Sequence, residues 1–434
     1  MGFRTRAVAV IAAAAVVLNG CALEGQGARE AGTPASGGTD TLYFWYSDEA
    51  LSGFLDNAAA AFGEREGVRI IPVLVDGGEY LEAVNDASLY SSQVPDAYIV
   101  SHDALEKAYL AGLAVPVEDE GGICNEERFP RTALSSVTYR GRIVAYPLFF
   151  ETAALLYNKT YLEEWALQTA GEGTPCPAED AVPATVEDIF NIANTFDAPQ
   201  DVESIMRWDV AHILYNYWIV GSGMDLGGEW GDDSRSIDIC NSRTVECMEV
   251  YAKLGRTFSV EPEAVSYESV IKEFCEGRIV FTVASTDVVR TLESAKAEGG
   301  MGFEYGIARL PQVRDGLESR SLSVTNAVAV NGYSEHKEQA ERFAAYLAGE
   351  CADALYAGTG KLPARKDAGG DDGYLRVFKE EYARSAPLPK MMNTVNFWLW
   401  MEGVFSKVWN GDDGAVLLRE VADQIAEQVD AAGL

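Results

Sequence analysis

Histidine is scarce in this chain: His102, His212 and His336 are the only three in 434 residues. Seven cysteines are present without a single C-x-x-C pair, so a zinc site built from Cys and His ligands is not expected. Positive charge is also short. Lys and Arg total 34 against 67 Asp and Glu, a formal charge of −33. A surface of that sign repels nucleic acid, which is therefore excluded as a partner. Beyond residue 21 no apolar run approaches the roughly 20 residues that a membrane-spanning helix requires. Nothing resembles G-x-S-x-G, H-E-x-x-H or a cysteine–histidine pair, and Gly358-Thr359-Gly360-Lys361 lacks the first glycine and the Ser/Thr of a P-loop. Neither an enzyme of those types nor a cofactor is expected.

One long apolar run exists, and it is at the start. Arg4 and Arg6 precede an apolar stretch from Ala7 to Leu18, which closes on Leu18-Asn19-Gly20-Cys21. That order of charged, apolar and small residues is a secretory signal. Its ending looks like a lipobox, so cleavage is expected before Cys21, with a lipid on the new N-terminal thiol. The location expected is the outer face of a bacterial cell membrane. Residues 22–40 are rich in Gly, Ala, Ser and Thr and read as a flexible tether reaching about 25 Å. The other cysteines are Cys124, Cys176, Cys240, Cys247, Cys275 and Cys351. An exported protein tolerates disulfides, and Cys240–Cys247, the shortest loop, is the first pairing to test.

From Thr41 onward the chain alternates short β-rich runs with amphipathic helical stretches. Leu42–Tyr46, Val68–Val73 and Asp96–Val100 read as strands, and Leu51–Glu66, Tyr80–Tyr90 and Asp103–Leu110 as helices. That alternation argues an α/β fold with a mainly parallel sheet covered on both faces. Later helices are expected over Thr185–Phe196, Val210–Val220, Arg243–Phe258, Ser266–Cys275, Thr286–Ala297 and Ala415–Ala431. Leu322–Val330 is a long β run. With 48% hydrophobic residues the chain has material for two cores, the default for its length.

Six segments, in order, carry a family resemblance: Arg140–Pro147 (RGRIVAYP), Glu151–Lys159 (ETAALLYNK), Pro183–Ile189 (PATVEDI), Phe274–Phe281 (FCEGRIVF), Ala308–Pro311 (ARLP) and Gly358–Pro363 (GTGKLP). Together they resemble the extracellular solute-binding proteins of ABC importers, in the group that includes maltose-binding protein. The resemblance implies two α/β lobes, each a sheet flanked by helices, with the ligand in the cleft between them. The N-lobe would be 41–148 plus 322–373, and the C-lobe 149–321 plus 374–434. It also implies a monomer that delivers a mono- or oligosaccharide to ABC permease subunits without turnover.

A sugar offers hydroxyl rims and apolar ring faces, so aromatic planes and carboxylates are the side chains to look for. By position in the family pattern the candidate ligand-binding residues are Trp45, Asp48, Glu79, Asp103, Glu151, His212, Tyr215 and Trp398. Other readings of the same residues stay open. Trp45 could be strand core. Phe397, Trp398, Met401 and Phe405 fall at helical spacing, as a core stripe would. Asp103 could cap the helix that follows it. The aromatic expected just before His102 is replaced by Val100 and Ser101, and another tryptophan is replaced near Thr286-Asp287, so maltodextrin specificity does not carry over. A cationic solute on the same architecture, or a glycosidase working through two carboxylates, are the competing functions.

Overall fold

The computed structural model describes residues 40–170, 177–370, 373–391 and 396–432. The signal segment, Cys21 and the tether up to residue 39 lie outside the described residues, as does Cys176. Strands run in the order β1 (Thr41–Tyr46), β2 (Arg69–Leu74), β3 (Pro95–Ser101), β4 (Thr138–Tyr139), β5 (Arg142–Ile143), β6 (Tyr146–Asn158) and β7 (Ser204–Met206). They continue with β8 (Asp225–Gly227), β9 (Asp233–Asp238), β10 (Ile279–Ser285), β11 (Tyr305–Ala308), β12 (Leu322–Val330), β13 (Leu362–Pro363) and β14 (Ala386–Pro387).

Alternation along β1 buries Leu42, Phe44 and Tyr46, whereas β10 is buried at every residue, as a strand covered on both faces must be. The helices are set by local chemistry that the sequence displays. Gly67 ends the helix Ser52–Glu66 in the left-handed region, at φ 71°. Thr185 and Asp188 form a reciprocal capping box for Val186–Thr195, which accounts for the PATVEDI pattern. Asn241 with Thr244 and Ser266 with Ser269 do the same for Ser242–Phe258 and Tyr267–Cys275.

The main sheet follows the path β2-β1-β3-β12-β6-β10-β7. Its flanks are parallel: β1 with β2 and β3, β10 with β7. Its middle is antiparallel, because β12 and β6 run back through it. Strand β6 is the pivot of the architecture. Up to Thr152 it pairs with β12, and from Ala153 it pairs with β10. One strand therefore belongs to both ends of the sheet. Phe150, just before the changeover, stacks on Tyr382 with centroids 4.0 Å apart, and both rings are fully buried. Burial of each ring contributes roughly 1.5–3 kcal/mol.

Two expectations are corrected. Val210–Val220 is not an α-helix but two short 3-10 turns, Ile213–Tyr215 and Tyr217–Ile219. Polar side chains take over the backbone groups there: Asp209 Oδ1 accepts the N–H groups of Ala211 and His212 at 3.0 and 3.2 Å, and Asn216 Nδ2 donates to the His212 carbonyl at 2.7 Å. Such local bonds compete with the helical ladder. The Cys240–Cys247 disulfide does not form; both thiols are free. Cys247 is buried within the helix Ser242–Phe258, while the Cys240 thiol points to the Ala415 carbonyl at 3.7 Å.

Candidate solute-binding cavity

The partner change in β6 creates the site. Glu151 lies immediately before it, half-buried and paired in register with Val324. Two further ladders converge on the same level. Ser285, the last residue of β10, pairs with Ala153, and Asp287 lies in the turn that follows, close enough to act on the Glu151 charge. Leu362 of β13 pairs with Phe150, and Lys361, just before it, lies close enough to Glu151 to act on its charge. The three charged side chains line a cavity of about 540 Å³, together with Phe149, His212, Tyr215, Tyr267, Ser285, Arg290, Thr359 and Gly360. That volume falls in the usual range for small-molecule sites.

One wall is aromatic. Tyr215 and Tyr267 stack at 4.7 Å and 8°. The Tyr267 hydroxyl donates to Asp287 Oδ1 at 3.1 Å, and the Ser285 hydroxyl bonds the same oxygen. Among the described residues Asp287 Oδ2 has no protein partner. His212 turns the chain into this wall: its Nδ1 accepts the Leu214 N–H at 3.2 Å, capping the turn Ile213–Tyr215. Trp398 stands behind His212, edge-on at 5.2 Å, and its Nε1 donates to Glu402 Oε1 at 2.6 Å.

The opposite wall is ionic. Asp48 spends both oxygens inside the protein, Oδ1 on the Ala50 N–H at 2.9 Å and Oδ2 on Lys361 Nζ at 2.5 Å. The Lys361 ammonium also lies 5.0 Å from the Phe149 ring centroid. Arg290 Nη1 donates to the Thr359 carbonyl at 2.9 Å. Gly360, at φ 75°, makes this approach feasible, since a Cβ there would meet Arg290 Cδ at 3.3 Å.

Glu151 is the exception on this floor. No hydrogen-bond donor among the described residues reaches its carboxylate. Burial raises its pKa above the ordinary carboxylate value; Lys361 opposes that shift, and Asp287 and Asp48 add to it. Its oxygens are partly desolvated and directed at a space that a ligand can fill.

Of the residues proposed from sequence, Glu151, His212 and Tyr215 line the cavity. Asp48 joins it through Lys361, and Trp398 supports it from behind His212. Three others lie apart. Trp45 packs on a separate core cluster with Tyr80. Glu79 is exposed at the start of the helix Tyr80–Tyr90, in the left-handed region at φ 54°. Asp103 is exposed and bonds the Ser101 hydroxyl rather than capping a helix. Sequence reasoning passed over Tyr267, Asp287, Arg290 and Lys361. The signal for Lys361 was present in the GTGKLP segment, but its partner is set by the ladder between β13 and β6.

The bacterial extracellular solute-binding protein model matches residues 46–354. The maltodextrin-binding protein MdxE of Bacillus subtilis is 21% identical over 373 residues, covering 84% of each chain. The galactooligosaccharide-binding protein of the same organism is 22% identical over 398 residues, covering 89% of this chain and 88% of its own. A crystal structure of a cyclo/maltodextrin-binding protein with maltotetraose superposes with a TM-score of 0.75 at 19% identity, covering 91% of this chain and 99% of the other. The Staphylococcus aureus extracellular solute-binding protein with maltose gives 0.73 at 19% identity, over 91% and 99%. A match across so much of the length, on a sheet whose shared strand opens a cavity, is decisive for kinship: the chain belongs to the bacterial extracellular solute-binding proteins.

Proposed function

We propose that this protein captures a short oligosaccharide in the cavity at Glu151 and passes it, chemically intact, to the permease subunits of an ABC importer. The observation that carries the reading is the Glu151 carboxylate. Among the described residues no donor reaches it, and it shares its cavity with a stacked tyrosine pair and with Asp287, whose Oδ2 is also without a partner there. Sugar hydroxyls satisfy both acceptors, with bonds strengthened by the acceptor charge, and the tyrosines offer apolar surface to a ring face. The sugar-binding names of the relatives support this class of solute.

In this reading the N-lobe is 41–148 plus 322–373 and the C-lobe 149–321 plus 374–434, joined through β6 and β12. The solute favours the closed arrangement by binding it better than the open one. Cys21 would carry the lipid that holds a monomer at the outer face of the membrane. The test is calorimetric titration of the purified protein with maltose, maltotriose and galactobiose, with product analysis alongside. Saturable binding with unaltered sugar is expected. No heat with any neutral saccharide, or release of monosaccharide, would refute the reading.

A further inference from the structure

We propose that Lys361 is the specificity-determining charge of this cavity: by countering Asp48 and Glu151 it admits neutral, hydroxyl-bearing solutes and disfavours cationic ones. The inference rests on the cavity being the solute site and concerns what that site selects.

Two carboxylates line the cavity, those of Glu151 and Asp287, and a third, Asp48, reaches it through Lys361. The chain as a whole carries −33, so the wider field attracts cations to such a place instead of repelling them. Left to these groups, the floor would suit an amine. Two cations oppose them, and they are not equivalent. Arg290 is exposed and has one N–H committed to the Thr359 carbonyl. Lys361 is set into the floor, its side chain 23% accessible, between Asp48 at 2.5 Å and the Phe149 ring.

Its position is built by the backbone rather than by chance contact. Gly360 turns the chain at positive φ after the helix Ala352–Thr359, and the Lys361 N–H donates to Thr359 Oγ1 at 3.1 Å. The pairing of Leu362 with Phe150 then holds Lys361, the preceding residue, near enough to Glu151 to act on its charge. Asp287, in the turn after β10, acts on Glu151 from the other side of the charge balance. Glu151 thus shares the cavity with one positive and one negative group close enough to act on its charge. An ammonium has three donors and no acceptor. With one donor on Asp48, the others remain for ring or hydroxyl oxygens, while Glu151 takes hydroxyl hydrogens. A solute amine at Glu151 would meet Lys361 as a like charge in a partly desolvated space, where such repulsion is poorly screened.

The test compares wild type, Lys361→Met and Lys361→Arg, titrated with maltose and galactobiose as neutral probes and the glucosamine disaccharide as the cationic probe. Melting temperatures serve as the folding control. Wild type is expected to prefer the neutral probes. In Lys361→Met the neutral affinity should fall, and the cationic-to-neutral ratio should rise by on the order of tenfold or more. High salt should shrink that change. Lys361→Arg should keep the wild-type ratio. An unmoved ratio in a folded Lys361→Met protein would overturn the inference, as would an Arg variant that behaves like the Met variant. A wild type that binds sugars but prefers the amine also overturns it and leaves solute binding intact. A wild type that binds no saccharide at all removes the functional reading itself.

Discussion

Glu151 and Glu381 sit beside the two rings of one stack, since Phe150 and Tyr382 lie face to face, yet they are treated in opposite ways. Glu381 is fully buried and fully engaged. It accepts from Arg384 at 2.7 and 3.1 Å and from the Leu310 N–H at 3.0 Å. Glu151 is half-buried and has no donor from the described protein. A buried carboxylate whose partners are all internal holds elements together. One that bears part of the desolvation cost and keeps its acceptors free is poised for something that arrives later. On the proposed function, the same residue type holds structure in one place and would serve recognition in the other, and the hydrogen-bond inventory is what tells them apart.

That contrast can be broken by substitution. The largest effect is expected from Glu381→Ala, which strips the partner from Arg384 and the Leu310 N–H. It should cost about 3–5 kcal/mol of folding stability in denaturant unfolding; a loss below ~1 kcal/mol would mean that Glu381 is not structural.

His102 extends the buried side of the comparison. Its Nδ1 accepts the Thr325 N–H at 3.0 Å and its Nε2 bonds the Leu388 carbonyl at 2.9 Å, so the ring is held neutral. Burial lowers its pKa from 6.5 to about 4, with Lys390 adding to that and Asp103 opposing it. The unfolded chain therefore takes up the proton first on acidification. The contribution is fully present above pH 6.5 and is lost as pH falls toward about 4. Its size is on the order of 3 kcal/mol, read as the difference in unfolding free energy between wild type and His102→Gln across that window. A parallel pH course in the two proteins would contradict it.

On the recognition side, Glu151→Gln should weaken sugar binding by roughly 1.5–3 kcal/mol while leaving the melting temperature level or higher, because a desolvated charge is removed. Wild-type affinity should also decline as pH drops through the raised Glu151 pKa, at values above the ordinary 4.5, and the variant should lose that dependence. Destabilisation without loss of affinity would place Glu151 with Glu381 after all. The smallest effect is expected from Asp103→Asn. Lying outside the cavity, it should change affinity by less than ~0.5 kcal/mol; loss of binding would move the site.

Much of this was legible in the linear chain. The capping pairs at Thr185 and Ser266, the run Leu322–Val330 and the ETAALLYNK segment that delivers Glu151 are all local signals, each readable within a few residues. The segment Val210–Val220 was misread because its apolar spacing is helical, while the competition from Asp209 and Asn216 depends on where those side chains turn. Trp45 and Asp103 were placed by analogy of position; Trp45 lies near the end of β1 and Asp103 in the turn after β3, outside the lining of this cavity.

What the sequence determined alone, Val210–Val220 aside, is where most strands and helices form, since periodicity and caps act over one or two turns. What only the tertiary structure decided is which charges meet. Lys361, Asp287 and Glu151 are far apart along the chain and meet in one cavity because the ladders of β10, β12 and β13 with β6 hold the segments that carry them together. A shift of one residue in any ladder would turn that side chain to the other face, and no local pattern encodes that choice.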